Sequence, residues 1–119
     1  MRDISKGISL FNESDFFSAH DFFEDCWIEC DREERLFFQG LVQISVGCYH
    51  LLNQNYKGCL SQFKKGTTKL KNFRPTHRNI NLEKLVNEIE SLIKIVNMNS
   101  SQEDPNRFLA IIPKLEINS

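Results

Sequence analysis

The chain lacks most of the signals that assign a sequence to a class at a glance. Its opening, MRDISKGISLFNESD, has no long apolar run. It therefore reads as no secretory leader, and the expected compartment is the cytosol, or the stroma for a plastid-encoded chain. Glycine and proline are scarce, at five and three residues, and no segment is of low complexity, which argues against collagen-like and disordered classes. Neither a Cys-x-x-Cys nor a His-Glu-x-x-His motif occurs. The cysteines are Cys26, Cys30, Cys48 and Cys59, and only the first two lie as close as one helical turn. Such spacing speaks against a structural zinc site. It leaves the thiols as small apolar groups in a reducing compartment. No repeat is visible, and residues 35–82 contain no acidic side chain.

What is present is a long uncharged stretch, Leu36 to Tyr56, reading LFFQGLVQISVGCYHLLNQNY. At 100° per residue, Phe37, Leu41, Ile44, Cys48, Leu51 and Leu52 form a broad apolar arc. Phe38, Val42, Val46 and Tyr49 cover much of the remainder. A helix apolar nearly all round is expected at the centre of a bundle, packed on several sides. One stripe is polar: Gln39, Gln43 and His50. Beside it stand Gly40 and Gly47, a heptad apart. Each costs about 1 kcal/mol of helix stability against alanine, a cost that close approach of another helix or of a ligand would justify. The polar stripe makes the stretch expensive in lipid, so it is read as a core helix, with no membrane association.

The rest of the chain is amphipathic. Ile4, Ile8 and Phe11 predict a short opening helix over 3–12, with Asn12 and Ser14 as cap residues behind it. Residues 15–30 predict a second helix. Its core face carries Phe16, Ala19, Phe23, Cys26, Trp27 and Cys30, and its solvent face Asp21, Asp25 and Glu29. Asp31 and Glu34 have the spacing of a capping box opening the central helix, residues 34–53. Asn55 caps a fourth helix over 56–73, stopped by Pro75 and followed by a polar loop. Asn81 caps a fifth, to about Val96, with an apolar stripe from Leu82. Residues 97–106 read as loop, the tail 97–119 as irregular, and no strand is expected. The fold class is all-α: a single domain, 1–119, of about five helices around the central one.

Charge is partitioned along the chain. Residues 1–34 carry ten acids and three bases, and residues 35–82 carry eight bases. Acids of the second helix and lysines of 57–71 both lie opposite core faces, so they point outward as two opposed patches. That arrangement favours homo-oligomer formation through charge. The lysine face of residues 57–71 also admits a nucleic-acid or anion-binding module. The mildly acidic isoelectric point and the absence of aromatic residues interleaved with the lysines on that face weigh against nucleic acid.

On the second helix, His20 and Glu24 stand apart from the acids. They fall between Phe16 and Trp27 on one side and Phe17 and Ile28 on the other, which predicts partial or full burial. A buried carboxylate requires a partner. His20 lies one turn away, and Gln39, Gln43 and His50 on the central helix could complete a set. The segments Phe16-Phe17-Ser18-Ala19-His20, Glu24, Trp27, Phe38-Gln39-Gly40-Leu41-Val42-Gln43, His50, Asn55 and Gly58 resemble a known family. It is domain of unknown function 309, a group of small all-helical bacterial and plastid proteins, and the likeness covers roughly residues 5–70. Asp21 replaces the family's usual glutamate, and Ser14 a common glycine. The resemblance implies an all-α fold and no established activity.

Three functional readings follow. The first is a small helical protein whose polar pocket, built from His20, Glu24, Trp27, Gln39, Gln43 and His50, binds a ligand or orders the core. The second is a metal-dependent hydrolase, with His20, Glu24 and His50 holding zinc or iron and leaving an open position for water. The third is the anion-binding module above. Substrate and partner, and whether the chain is an enzyme, are not legible at this level.

Overall fold

Hydrophobic periodicity is realised as helices at nearly the positions it marks. The computed structural model describes residues 2–99 and 105–118. It contains α1 (Ser5–Asn12), α2 (Phe16–Glu29), α3 (Arg35–Leu52), α4 (Tyr56–Leu70), α5 (Leu82–Asn99) and α6 (Pro105–Leu109). Single 3-10 turns occupy Arg32–Glu34 and Lys71–Phe73. The fold is an all-α bundle with α3 at its centre. α2 and α4 flank α3, α1 packs on α2, and α5 packs on α4. Phe37, Leu41, Ile44, Cys48 and Leu51 of α3 are fully buried, as the wheel requires.

The α3 glycines serve helix contact. A Cβ on Gly40 would sit 2.8 Å from Leu70 of α4, and one on Gly47 would collide with the Phe63 ring. α3 and α4 thus approach more closely than side chains at these positions permit. α3 is less enclosed than an all-round apolar helix should be, however. Val42 and Val46 are half-buried and Tyr49 is 41% exposed, so one stripe of the central helix is open.

Caps and turns depart from expectation in three places. The N-cap of α2 is Asp15, which accepts from the Ser18 amide at 3.3 Å. Asn12 instead clasps the tail, accepting from the Leu115 amide at 2.7 Å and donating to its carbonyl at 3.0 Å. Ser14 adopts φ 66°, the left-handed conformation that glycine takes without cost. Asp31 and Glu34 form no capping box, because Glu34 is drawn away to the His77 ring (2.5 Å) and Arg78 Nε (2.7 Å).

The polar loop after Pro75 holds a small hairpin that periodicity could not reveal. β1 (Thr76–His77) pairs antiparallel with β2 (Ile80–Asn81). Both turn residues, Arg78 and Asn79, have positive φ, at 48° and 65°, the primed turn that matches strand twist. Asn81 caps α5 as expected, accepting from the Lys84 amide at 3.0 Å. α5 runs past the anticipated loop start at residue 97. Residues 100–104 of that loop lie outside the described residues, and α6 then drives Phe108 into the core. The tail beyond is laid over the bundle: Leu115 is buried, and Ile117 bridges to Ile80.

Candidate functional site

The open stripe of α3 forms the floor of a shallow groove walled by α2 and α4. Near one end lies a cavity of about 320 Å³ lined by Glu24, Trp27, Gln39, Val42, Gln43 and Gln62. Four of the six side chains singled out from the sequence therefore meet. Gln43 Oε1 accepts from the Lys69 ammonium at 2.9 Å. Burial and the neighbouring Lys65 hold that ammonium below its ordinary range. Trp27 forms the opposite wall, with the Arg35 guanidinium 4.5 Å over its ring. Among the described residues, the side-chain amides of Gln39 and Gln62 and the indole N–H of Trp27 meet no hydrogen-bond partner.

His20 and Glu24 pair across one helical turn, at 3.1 Å between Nε2 and Oε2. The other ring nitrogen faces Asp21 (3.2 Å) and the Phe17 carbonyl (3.3 Å). Glu24 is not buried as the wheel suggested: its side chain is 49% exposed, because the α2–α3 crossing leaves this edge of α2 open. His50 belongs elsewhere. It sits 3.4 Å from the Asn55 amide at the α3–α4 turn. Asn55 there caps α4 on the Gly58 amide, and a Cβ on Gly58 would press against both side chains. The His50, Asn55 and Gly58 combination is thus a turn device.

Between the two histidines lies a line of aromatic rings. His20 to Phe17 is 5.7 Å, Phe17 to Tyr49 is 5.7 Å and Tyr49 to His50 is 6.1 Å. The set His20, Glu24 and His50 is therefore not assembled as metal ligands. Among the described residues no three His, Cys, Asp or Glu side chains are grouped to hold a metal ion.

Residues 4–62 match the family model described as Domain of unknown function (DUF309). This segment belongs to the DUF309 family. No curated protein matches the chain. The DUF309 segment contains the α2 wall, the α3 floor and, as its last residue, Gln62. Lys65 and Lys69 come from just beyond it. Sequence reasoning missed Gln62 and Arg35. The signal for Gln62 was available on the α4 wheel, where Gly58, Gln62, Lys65 and Lys69 share a stripe at spacings of four, three and four. No helix among the described residues is long and apolar enough to cross a membrane.

A larger cavity of about 450 Å³ lies between the N-terminal segment, the end of α2 and the hairpin turn, and Cys26, Cys30, Arg2 and Arg78 contribute to it. Its arginines are already paired, Arg2 with Glu29 and Arg78 with Glu34. Burial pushes both Cys26 and Cys30 thiols up, away from the reactive thiolate form. That cavity is a seam holding the N-terminus to the hairpin and offers less chemistry than the smaller groove.

Proposed function

We propose that the groove cavity is a binding site for a small zwitterionic molecule of the amino-acid type. The observation that carries this reading is the convergence of polar side chains on one cavity: the Glu24 carboxylate, the Gln39, Gln43 and Gln62 amides and the Trp27 indole. A few convergent polar groups beside apolar surface are what ligand pockets present. The walls have opposite character. Glu24 supplies a carboxylate for an ammonium group, Lys69 and Lys65 supply cations for a carboxylate, and the amides lie between them. A volume of about 320 Å³ is at the small end of ligand pockets.

A nucleic-acid strand is the weaker occupant. The fold sets Trp27 and Tyr49 across from Lys65 and Lys69, a juxtaposition invisible in chain order. Yet Glu24 lines the cavity on the α2 side and repels a polyphosphate.

Trp27 is the chain's single tryptophan, so its fluorescence reports on this cavity alone. Titration with the twenty free amino acids, with inorganic phosphate as control, is expected to give a saturable change for one chemical group of them. Gln39→Leu and Lys69→Met should each weaken that change. A flat response to every amino acid at millimolar concentration would defeat the reading.

A further inference from the structure

We infer that the open face of α2, α3 and α4 is the interface of a symmetric dimer, with α3 of one copy running parallel to α3 of the other. This rests on the groove's surface and not on the ligand reading.

The first observation is a seam. Gln39, Val42, Val46 and Tyr49 stand on the exposed side of α3 at spacings of three, four and three. They are half-buried, with Tyr49 41% exposed. That is the a/d pattern of one helix meeting another, on a helix whose opposite side already holds the core. The second is apolar exposure on the neighbouring helix. Phe17 of α2 is 54% exposed and packs against Tyr49 with the rings tilted at 55°, and Ile28, one turn from Glu24, is 62% exposed. Such residues collected on one face mark a contact surface.

The third observation, charge, selects the occupant and its orientation. The α2 edge is acidic through Glu24, which lines the cavity, and the α4 edge is basic through Lys69, which donates to Gln43, and its neighbour Lys65. Glu24 and Gln62 line the same cavity from opposite walls, so they lie at the same height along α3. A two-fold axis along α3 exchanges the two walls. It brings Glu24 of each copy over Gln62 and Lys65 of the other. It also brings Gln39, Val42 and Val46 each onto its own counterpart. A two-fold axis across the helices would instead set acid on acid. The face is thus complementary to itself in one arrangement only, as an isologous interface must be. An α3 of 18 residues is about 27 Å long. Three helices spaced about 9 Å apart then span on the order of 500 Å² per copy, about 1,000 Å² in all, which is the range of weak, transient interfaces. The dimer should therefore form and dissociate with concentration, and high salt should weaken it.

Sedimentation velocity of the full chain from about 1 µM to about 1 mM, at low and high salt, tests this. The expected result is a reversible monomer–dimer equilibrium that Val46→Asp abolishes while far-UV circular dichroism is unchanged. Glu24→Lys and Lys65→Glu should each raise the dimer dissociation constant about tenfold or more, and the double variant should restore it. The restoration needs both chains folded and so separates a lost interface from a lost fold. A monomer at every concentration would overturn the proposal and leave the face to a different partner. A dimer indifferent to Val46→Asp, or charge variants that add rather than cancel, would also overturn it.

Discussion

Glu34 joins three parts of the chain, and removing its charge should cost more than any other single surface-side substitution. Its two oxygens bind His77 Nε2 at 2.5 Å and Arg78 Nε at 2.7 Å, and its side chain is only 16% exposed. Each partner is itself fixed. The His77 ring lies 4.5 Å from Phe37 and 4.9 Å from Phe73. Arg78 lies over Phe38 and donates to the Arg2 carbonyl at 3.0 Å. Arg78 also sits at positive φ, a conformation that an arginine side chain disfavours and that this anchor holds. Glu34→Gln leaves a half-buried guanidinium without its counter-charge. A charge-assisted hydrogen bond contributes about 1.5–3 kcal/mol, so the loss should be about 2–3 kcal/mol. For a domain of this size that is a fall in Tm of roughly 10 °C. Burial alone would raise the Glu34 pKa, but hydrogen bonds from Arg78 and His77, with their charges, hold it below the ordinary carboxylate range. A depressed folded-state pKa stabilises the fold above the unfolded value, near 4.3, and that stabilisation is lost as pH falls through the folded value. The gap between wild type and Glu34→Gln should therefore be full at neutral pH and close as the solution is acidified below about pH 4. Urea denaturation followed by circular dichroism at several pH values measures it. A gap under about 0.5 kcal/mol at pH 7, or one that widens in acid, would refute the reasoning.

Gly47→Ala should destabilise the chain by about 1–3 kcal/mol despite alanine's better helix propensity, since the added methyl meets the Phe63 ring; the urea midpoint will show it. Ser14→Gly should stabilise by about 0.5–1 kcal/mol by relieving the left-handed backbone between α1 and α2, read as a rise in Tm. Burial raises all four thiols, Cys48 well above its ordinary range and Cys59 to about 12, and only Cys30 is not fully buried. Brief alkylation of native protein at pH 8 should thus label Cys30 slowly and the others only after denaturation, as intact mass will report.

The sequence by itself determined the helices, because a repeat of 3.6 residues in apolar side chains is local information that survives without the fold. α3 was legible to within one residue at each end, the α5 stripe was legible, and so were the Asn55 and Asn81 caps. So were the glycines as contact points and the pairing of His20 with Glu24, one turn apart on a single helix. The tertiary structure decided everything that depends on what one element meets on another. A wheel shows that Glu24 lies between apolar neighbours, but not that the α2–α3 crossing stops short of covering it. It places Gln39, Gln43 and His50 on one stripe, but the α3–α4 turn claims His50 while the other two open into the groove. Glu34 looked like a local cap three residues from Asp31. Two partners more than forty positions away, Arg78 and the His77 ring, outcompete that cap, because a part-buried ion pair with a second hydrogen bond outweighs one backbone hydrogen bond. The hairpin that supplies those partners has two-residue strands, too short for any period to register. Long-range pairing of this kind has no local signature, which is why the groove, and the face it belongs to, emerged only when the helices were set side by side.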